Sequence, residues 1–135
     1  MVVDTNVLIS ALVGHGKPRR LVSELLERHE VVTSPQMLAE LVDVLSREKF
    51  AETDERQTKT FLSILARRVS VVTPRRSFKL VLEDPDDDVV VGTAYEGKAT
   101  HIISGDKHLL SLGKFRGIRM VKVNEMLELL RQARH

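Results

Sequence analysis

Asp84-Pro85-Asp86-Asp87-Asp88-Val89-Val90-Val91-Gly92-Thr93-Ala94-Tyr95-Glu96-Gly97 decides how the chain folds, because it reads two ways. Val89-Val90-Val91 favours a strand by propensity, since β-branched side chains suit a pleated surface. Pro85 followed by three Asp looks instead like a helix start, where negative charge meets the positive end of the helix dipole. Val90 and Ala94 also stand four apart, on one helical face. The helix is the better reading, and with it strands and helices alternate along the chain.

Downstream of this segment His101–Ile103 reads as a strand, Lys107–Leu112 as a short helix, Ile118–Val123 as a strand and Asn124–Arg131 as a closing helix. Upstream, Val69–Val72 is strand-like and ends at Pro74. A helix from about Asp54 to Arg67 carries Phe61, Leu62, Ile64 and Leu65. Another spans Pro35–Ser46, where Ser34 can cap the free amides and Pro35 loses no needed hydrogen bond. Its apolar face is Met37, Leu38, Leu41, Val42 and Leu45. Val31–Thr33 is a strand, and Leu21, Val22, Leu25 and Leu26 make a helical stripe within Pro18–His29. The chain opens on a β-rich run, Met1–Asp4, followed by the apolar run Val7–Val13. Such alternation implies an α/β fold, a mostly parallel sheet covered on both faces. Ligands of these sheets sit outside the carboxyl ends of the strands.

With 135 residues the chain fits one domain over 1–135, able to bury about two thirds of its extended surface without a staple. It has no Cys. That excludes disulfides, thiolate nucleophiles and cysteine zinc sites, and fits a reducing compartment. No run approaches the roughly 18 apolar residues of a membrane span, and the start lacks a signal-peptide pattern; a cytoplasmic address is expected. Lys+Arg 21 against Asp+Glu 19 gives a net charge of +2, a weak argument for nucleic acid. With Phe 4, Tyr 1 and Trp 0, a base-stacking platform is not expected.

The acids are more informative than the sum of charge. Asp4 ends the first strand, and Asp106 follows a later one in Ser104-Gly105-Asp106. Glu40 lies at the edge of its helix's apolar stripe, and Asp86-Asp87-Asp88 opens a helix. Each alone has an ordinary reading as a cap, turn or surface charge. Gathered in one crevice they repel: a pair 4 Å apart costs about 4 kcal/mol at an effective dielectric near 20. Protons or cations must neutralise them. Oxygen-only donors favour Mg²⁺ or Mn²⁺ over zinc, and those ions suit phosphodiester hydrolysis.

Four blocks together carry a family resemblance: Val2-Val3-Asp4-Thr5-Asn6-Val7-Leu8, Ser34-Pro35-Gln36-Met37-Leu38-Ala39-Glu40-Leu41, Asp84-Pro85-Asp86-Asp87-Asp88 and Ser104-Gly105-Asp106-Lys107-His108-Leu109-Leu110. In order and spacing they resemble the PIN domain, over nearly the whole chain. The branch they are most similar to is the VapC-like ribonuclease toxins of prokaryotic toxin–antitoxin pairs. The resemblance implies a three-layer α/β/α sandwich with a central parallel sheet and Mg²⁺- or Mn²⁺-dependent cleavage of RNA. It implies Asp4, Glu40, Asp87 and Asp106 as catalytic acids, with Asp4, Asp106 and one of the triplet as metal ligands. Asp87 is preferred because the family places an acid three residues before an apolar helix position, here Val90; Asp88 is the second choice. Asn6, Ser104 and Asp86 match supporting polar positions. His108 stands where relatives often carry an acid, and Val89 where a Lys is frequent.

Basic residues expected to hold the RNA backbone are Lys17, Arg19, Arg20, Arg47 and Lys49. The expected partners are an RNA substrate, an antitoxin protein and a second copy of the chain, in a homodimer or higher homo-oligomer. The apolar faces of Asp54–Arg67 and Pro35–Ser46 could serve that contact, or be core. Two other readings fail. Asp84, Asp86 and Asp88 alternate as in a calcium loop, but Val89 replaces its turn glycine and Tyr95 its closing Glu. Asp4-Thr5-Asn6 lacks the second Asp of an aspartyl phosphatase. The rival that stays open is a non-catalytic RNA-binding or assembly module of the same fold.

Overall fold

The computed structural model describes residues 1–14, 16–47, 55–78 and 84–133. Lys49 and Asp54 fall outside the described residues. The elements run β1 (Val2–Val3), α1 (Thr5–Val13), α2 (Lys17–Arg28), β2 (Val31–Thr33), α3 (Pro35–Arg47), α4 (Glu55–Arg68) and β3 (Val69–Val71). They continue with α5 (Pro85–Glu96), β4 (His101–Ile103), α6 (Lys107–Leu112), β5 (Lys114–Phe115), β6 (Ile118–Val121) and α7 (Val123–Ala133). The ambiguous Asp84–Gly97 segment is the helix α5. Asp84 caps it by accepting from the Asp86 amide at 2.9 Å, and Pro85 stands in its first turn.

The strands form one sheet in the order β3-β2-β1-β4-β6-β5. Every neighbouring pair is parallel except β5 with β6. The chain therefore builds the sheet from β1 outward to β3, then returns to the other side of β1 to add β4 and β6. The reversal lies between β1 and β4, the kind of switch point at which sheets of this class bind ligands.

Alternate strand residues face opposite layers, as a period of two requires. Val3, Val31, Ile103 and Val121 face a core closed by α1, α2, α4 and α7. Val2, Val32, Ile102 and Met120 face a second core closed by α5 and α6, with Phe78. The result is the expected three-layer α/β/α sandwich. α3 contributes Leu41 to the first core and Met37 to the second, and packs against both α1 and α5. In α3 and α4 most of the apolar stripe is core. Val42 and Ile64 stay exposed, at 57% and 38%.

β5 was not expected. Phe115 pairs with Ile118 across the two-residue loop Arg116-Gly117. Both loop residues have positive φ, 49° and 84°, as the tight hairpin turn that matches strand twist demands. For Arg116 that backbone costs about 1–2 kcal/mol. Its guanidinium lies over the Phe78 and Phe115 rings, 5.4 and 5.7 Å from their centroids, a contact of about 0.5–1 kcal/mol in exposed settings that offsets part of the strain. β6 ends at Val121 and α7 begins at Val123, two residues and one residue earlier than expected.

Gly97, just past α5, lets the helix end come down on β2. A Cβ there would stand 2.4 Å from Val32 Cγ1, and Val32 is buried. Gly97→Ala should therefore destabilise the protein by about 1–3 kcal/mol through overpacking. Urea denaturation would show this as a lower midpoint at unchanged slope; an unaltered midpoint would mean that β2 yields freely.

Candidate metal-binding acid site

The carboxyl ends of β1 and β4 are adjacent, and the ladder continues one residue beyond each. The Asp4 amide donates to Ile103 O at 2.9 Å and the Ser104 amide to Val121 O at 3.0 Å. Both residues are thus held at the level of the backbone. Ser104 is fully buried. Its hydroxyl donates to Asp4 Oδ2 at 2.7 Å and accepts from the Asp106 amide at 2.9 Å. Asp106 in turn caps α6, its Oδ1 accepting from the His108 amide at 2.8 Å.

α5 brings the triplet to the same place, and its three members do different things. Asp87 is buried. Burial is the chief cause that pushes its carboxyl up to about 6; repulsion from Asp106 and Asp84 adds to it, and His108 opposes it. Asp86 is exposed and stands within electrostatic reach of Asp4 and Glu40.

Asp88, the second choice of ligand within the triplet, accepts through its carboxylate from the Ser77 hydroxyl at 3.0 Å and from the Phe78 amide. On a helix the next residue points about 100° away, so Asp88 ties α5 to the 77–78 segment while Asp87 is electrostatically coupled to Asp106.

Burial also raises the Asp4 carboxyl. Ser104 and the Thr5 amide pull it back, and Asp106 and Asp86 add repulsion. Glu40 lies on α3, which bridges α1 and α5. Its carboxyl is raised by partial desolvation, then by Asp86 and Asp4. Asp4, Glu40, Asp86, Asp87 and Asp106 therefore belong to one electrostatic cluster around the β1/β4 switch point. Its donors are hard carboxylate oxygens, with the Ser104 hydroxyl behind them. This chemistry fits Mg²⁺ or Mn²⁺. Among the described residues no three such side chains converge tightly enough to hold an ion.

The other expected residues lie further out. Asn6 is exposed and makes no hydrogen bond to an acid among the described residues; it lines a cleft of about 360 Å³ beside Ser104, together with Lys122 and Asn124. Lys122 and Asn124 escaped the sequence reading, which ran β6 on to Val123 and so placed Lys122 inside a strand. With the true end at Val121, Lys122 occupies a strand's carboxyl end, as Asp4 and Ser104 do.

Among the basic residues, Lys17 and Arg20 are exposed at the start of α2. Arg19 donates to Ala11 O at 2.9 Å and Leu12 O at 2.7 Å, satisfying carbonyls that α1 leaves free at its end. Arg47 pairs with Asp43 at 3.1 Å on the surface of α3, and Lys49 is outside the described residues. A mostly apolar groove of about 500 Å³ runs between α2 and α4, lined by Val22, Leu26, Phe61 and Ile64. It includes none of the clustered acids.

A family model described as a PIN domain matches residues 1–108, and the chain belongs to the PIN domain family. Its fold is that of a chain in the crystal structure of VapBC2 from Rickettsia felis bound to a DNA fragment from their promoter, with a TM-score of 0.62 at 15% identity. The match covers 90% of this chain and 96% of that one. No curated protein matches the sequence. No helix among the described residues is long and apolar enough to cross a membrane.

The raised carboxyls fix the sign of a pH dependence. Asp87 binds its proton in the folded state up to about pH 6, but in the unfolded chain only to about 3.9. Between those values the folded state holds more protons, so stability falls as pH rises; Asp4 and Glu40 shift in the same direction. Metal-free protein should accordingly show a lower urea midpoint at pH 7 than at pH 4.5. Asp87→Asn should flatten that decline, and millimolar Mn²⁺ should restore the midpoint of the parent at pH 7. A midpoint that rises through this window, or ignores Mn²⁺, would contradict the cluster.

Proposed function

We propose that this PIN domain, one unit over residues 1–135, is a divalent-metal-dependent endoribonuclease that hydrolyses RNA phosphodiester bonds, and is the toxin of a toxin–antitoxin pair. The observation that supports the reading is the electrostatic coupling of Asp4, Glu40, Asp86, Asp87 and Asp106, from four separate stretches of chain, around the β1/β4 switch point. Asp4, Asp87 and Asp106 would hold Mg²⁺ or Mn²⁺. When bound, the ion supplies charge neutralisation and activation of water toward the phosphorus. Ser104 keeps the Asp4 carboxylate and the Asp106 backbone at fixed separation. Glu40, at the open rim, is placed to complete the ligand set or to orient the attacking water by accepting its hydrogen bond.

The partners follow from likeness. The fold shared with a VapBC2 chain supports pairing with an antitoxin, and the absence of a membrane-spanning helix among the described residues agrees with work in the cytoplasm. The exposed Val42 and Ile64 support assembly into a homodimer or higher homo-oligomer. The rival is a module that binds RNA and does not cut it, with Asp106 kept for its cap on α6.

Incubation of a labelled single-stranded RNA with purified protein in Mg²⁺ or Mn²⁺ should yield cleavage that EDTA abolishes. Asp4→Asn and Asp106→Asn should each lower the rate on the order of a hundredfold or more, since even the partners behind metal ligands cost about 10–100-fold. Far-UV circular dichroism and the denaturation midpoint should show both variants folded. Binding of RNA without metal-dependent turnover would decide for the module.

A further inference from the structure

The site lies open on two flanks of unlike charge. On one, Glu40, Asp84 and Asp86 surround the acids. On the other is the cleft of about 360 Å³ that begins at Asn6, Ser104 and Gly105 and reaches Lys122 and Asn124. Its lining includes one cation and no carboxylate. Lys122 is exposed. Its backbone amide donates to Glu125 Oε1 at 3.3 Å and its carbonyl accepts from the Met126 amide at 3.0 Å, while among the described residues its ammonium makes no hydrogen bond or ion pair. A second groove, of about 470 Å³, shares Asn124 with the first and holds Lys17 and Arg20. Glu24, Glu128 and Arg131 also line it, Arg131 being paired with Glu128 at 3.0 Å.

A polyanion bound across an acid cluster faces a specific difficulty. Its reacting phosphate can be neutralised by a cation at the cluster, but the phosphates on either side cannot share that cation. At physiological salt the screening length is about 8 Å, so phosphates next to the reacting one still feel the acids. The strand must leave over a flank that replaces their counterions. We propose that Lys122 is a substrate-positioning residue: it holds the phosphate next to the scissile one, and the RNA strand runs from the acids through this cleft toward Lys17 and Arg20. The assignment rests on the ribonuclease reading and adds the strand's path to it. The scarcity of aromatic residues points the same way, since a strand without stacking partners has to be held by its phosphates.

The test compares Lys122→Ala and Lys122→Arg with a control on the neighbouring edge strand β5, Lys114→Ala, which pairs with Arg119, using a short single-stranded RNA of mixed sequence. Cleavage in Mn²⁺ is followed over a range of RNA and salt concentrations. Lys122→Ala should raise KM roughly tenfold, the effect of losing one charge-assisted hydrogen bond, and leave kcat within about twofold of the parent. The dependence of log affinity on log salt should be shallower by about 0.7, the value for one phosphate contact on a single strand. Lys122→Arg should regain the parent KM, and Lys114→Ala should change neither quantity. Unchanged KM and salt slope in a folded Lys122→Ala, or an equal loss in Lys114→Ala, would overturn the path while the nuclease stands. Parent protein that neither binds nor cuts RNA with Mg²⁺ or Mn²⁺ overturns both.

Discussion

One hydroxyl holds the site together. Ser104 donates to the Asp4 carboxylate and accepts from the Asp106 amide, so a single buried oxygen links the ends of β1 and β4. Its position is set by the parallel ladder, which extends past both strands to Asp4 and Ser104. A buried hydroxyl left without partners would cost about 1–3 kcal/mol. Fully partnered, it fixes one acid in place and shapes the backbone that carries another.

The rest of the fold brings further negative charge to this point. α1 begins at Asp4, α5 delivers Asp87, and α3 lies across both and presents Glu40. The ionised carboxylates of Asp4, Glu40 and Asp87 are disfavoured by burial and by their neighbours. The two apolar cores on either face of the sheet supply the stability against which that repulsion is sustained. Strained electrostatics at a strand-end crevice, and ordinary hydrophobic packing elsewhere, is the arrangement expected where structure is subordinate to chemistry.

Much of this was legible in the residues. The helical and two-residue periods of Leu21–Leu26, Val31–Thr33 and His101–Ile103 place elements correctly because burial dictates them. The strand-end rule selects Asp4 and Ser104-Gly105-Asp106 for the same reason. What escaped depends on contacts between distant segments. Asp87 and Asp88 are indistinguishable as letters, and their division of labour appears only when Ser77 and Phe78 approach α5. Arg19 resembles any surface arginine until the end of α1 lies beside it. The β5–β6 hairpin was hidden because Arg116 is a poor residue for a left-handed turn, and the Phe78 and Phe115 rings that support it lie far apart in sequence. Lys122 reads as a strand residue because Val121-Lys122-Val123 alternates with a period of two, whereas β6 ends at Val121 and α7 begins at Val123.

α5 is held at both ends by features outside the cluster of Asp4, Glu40, Asp87 and Asp106. Asp88 is tied to the 77–78 segment at its start, and Gly97 fits against Val32 at its finish. Gly92, midway, lies close to Pro74 and to the carbonyl of Arg76. The helix therefore cannot spin about its own axis. Each residue added or removed between Asp87 and Gly97 would turn one end by about 100° relative to the other, and no sliding of the helix could recover both fits. The interval between these two positions should thus evolve by exchange of side chains and very rarely by change of length.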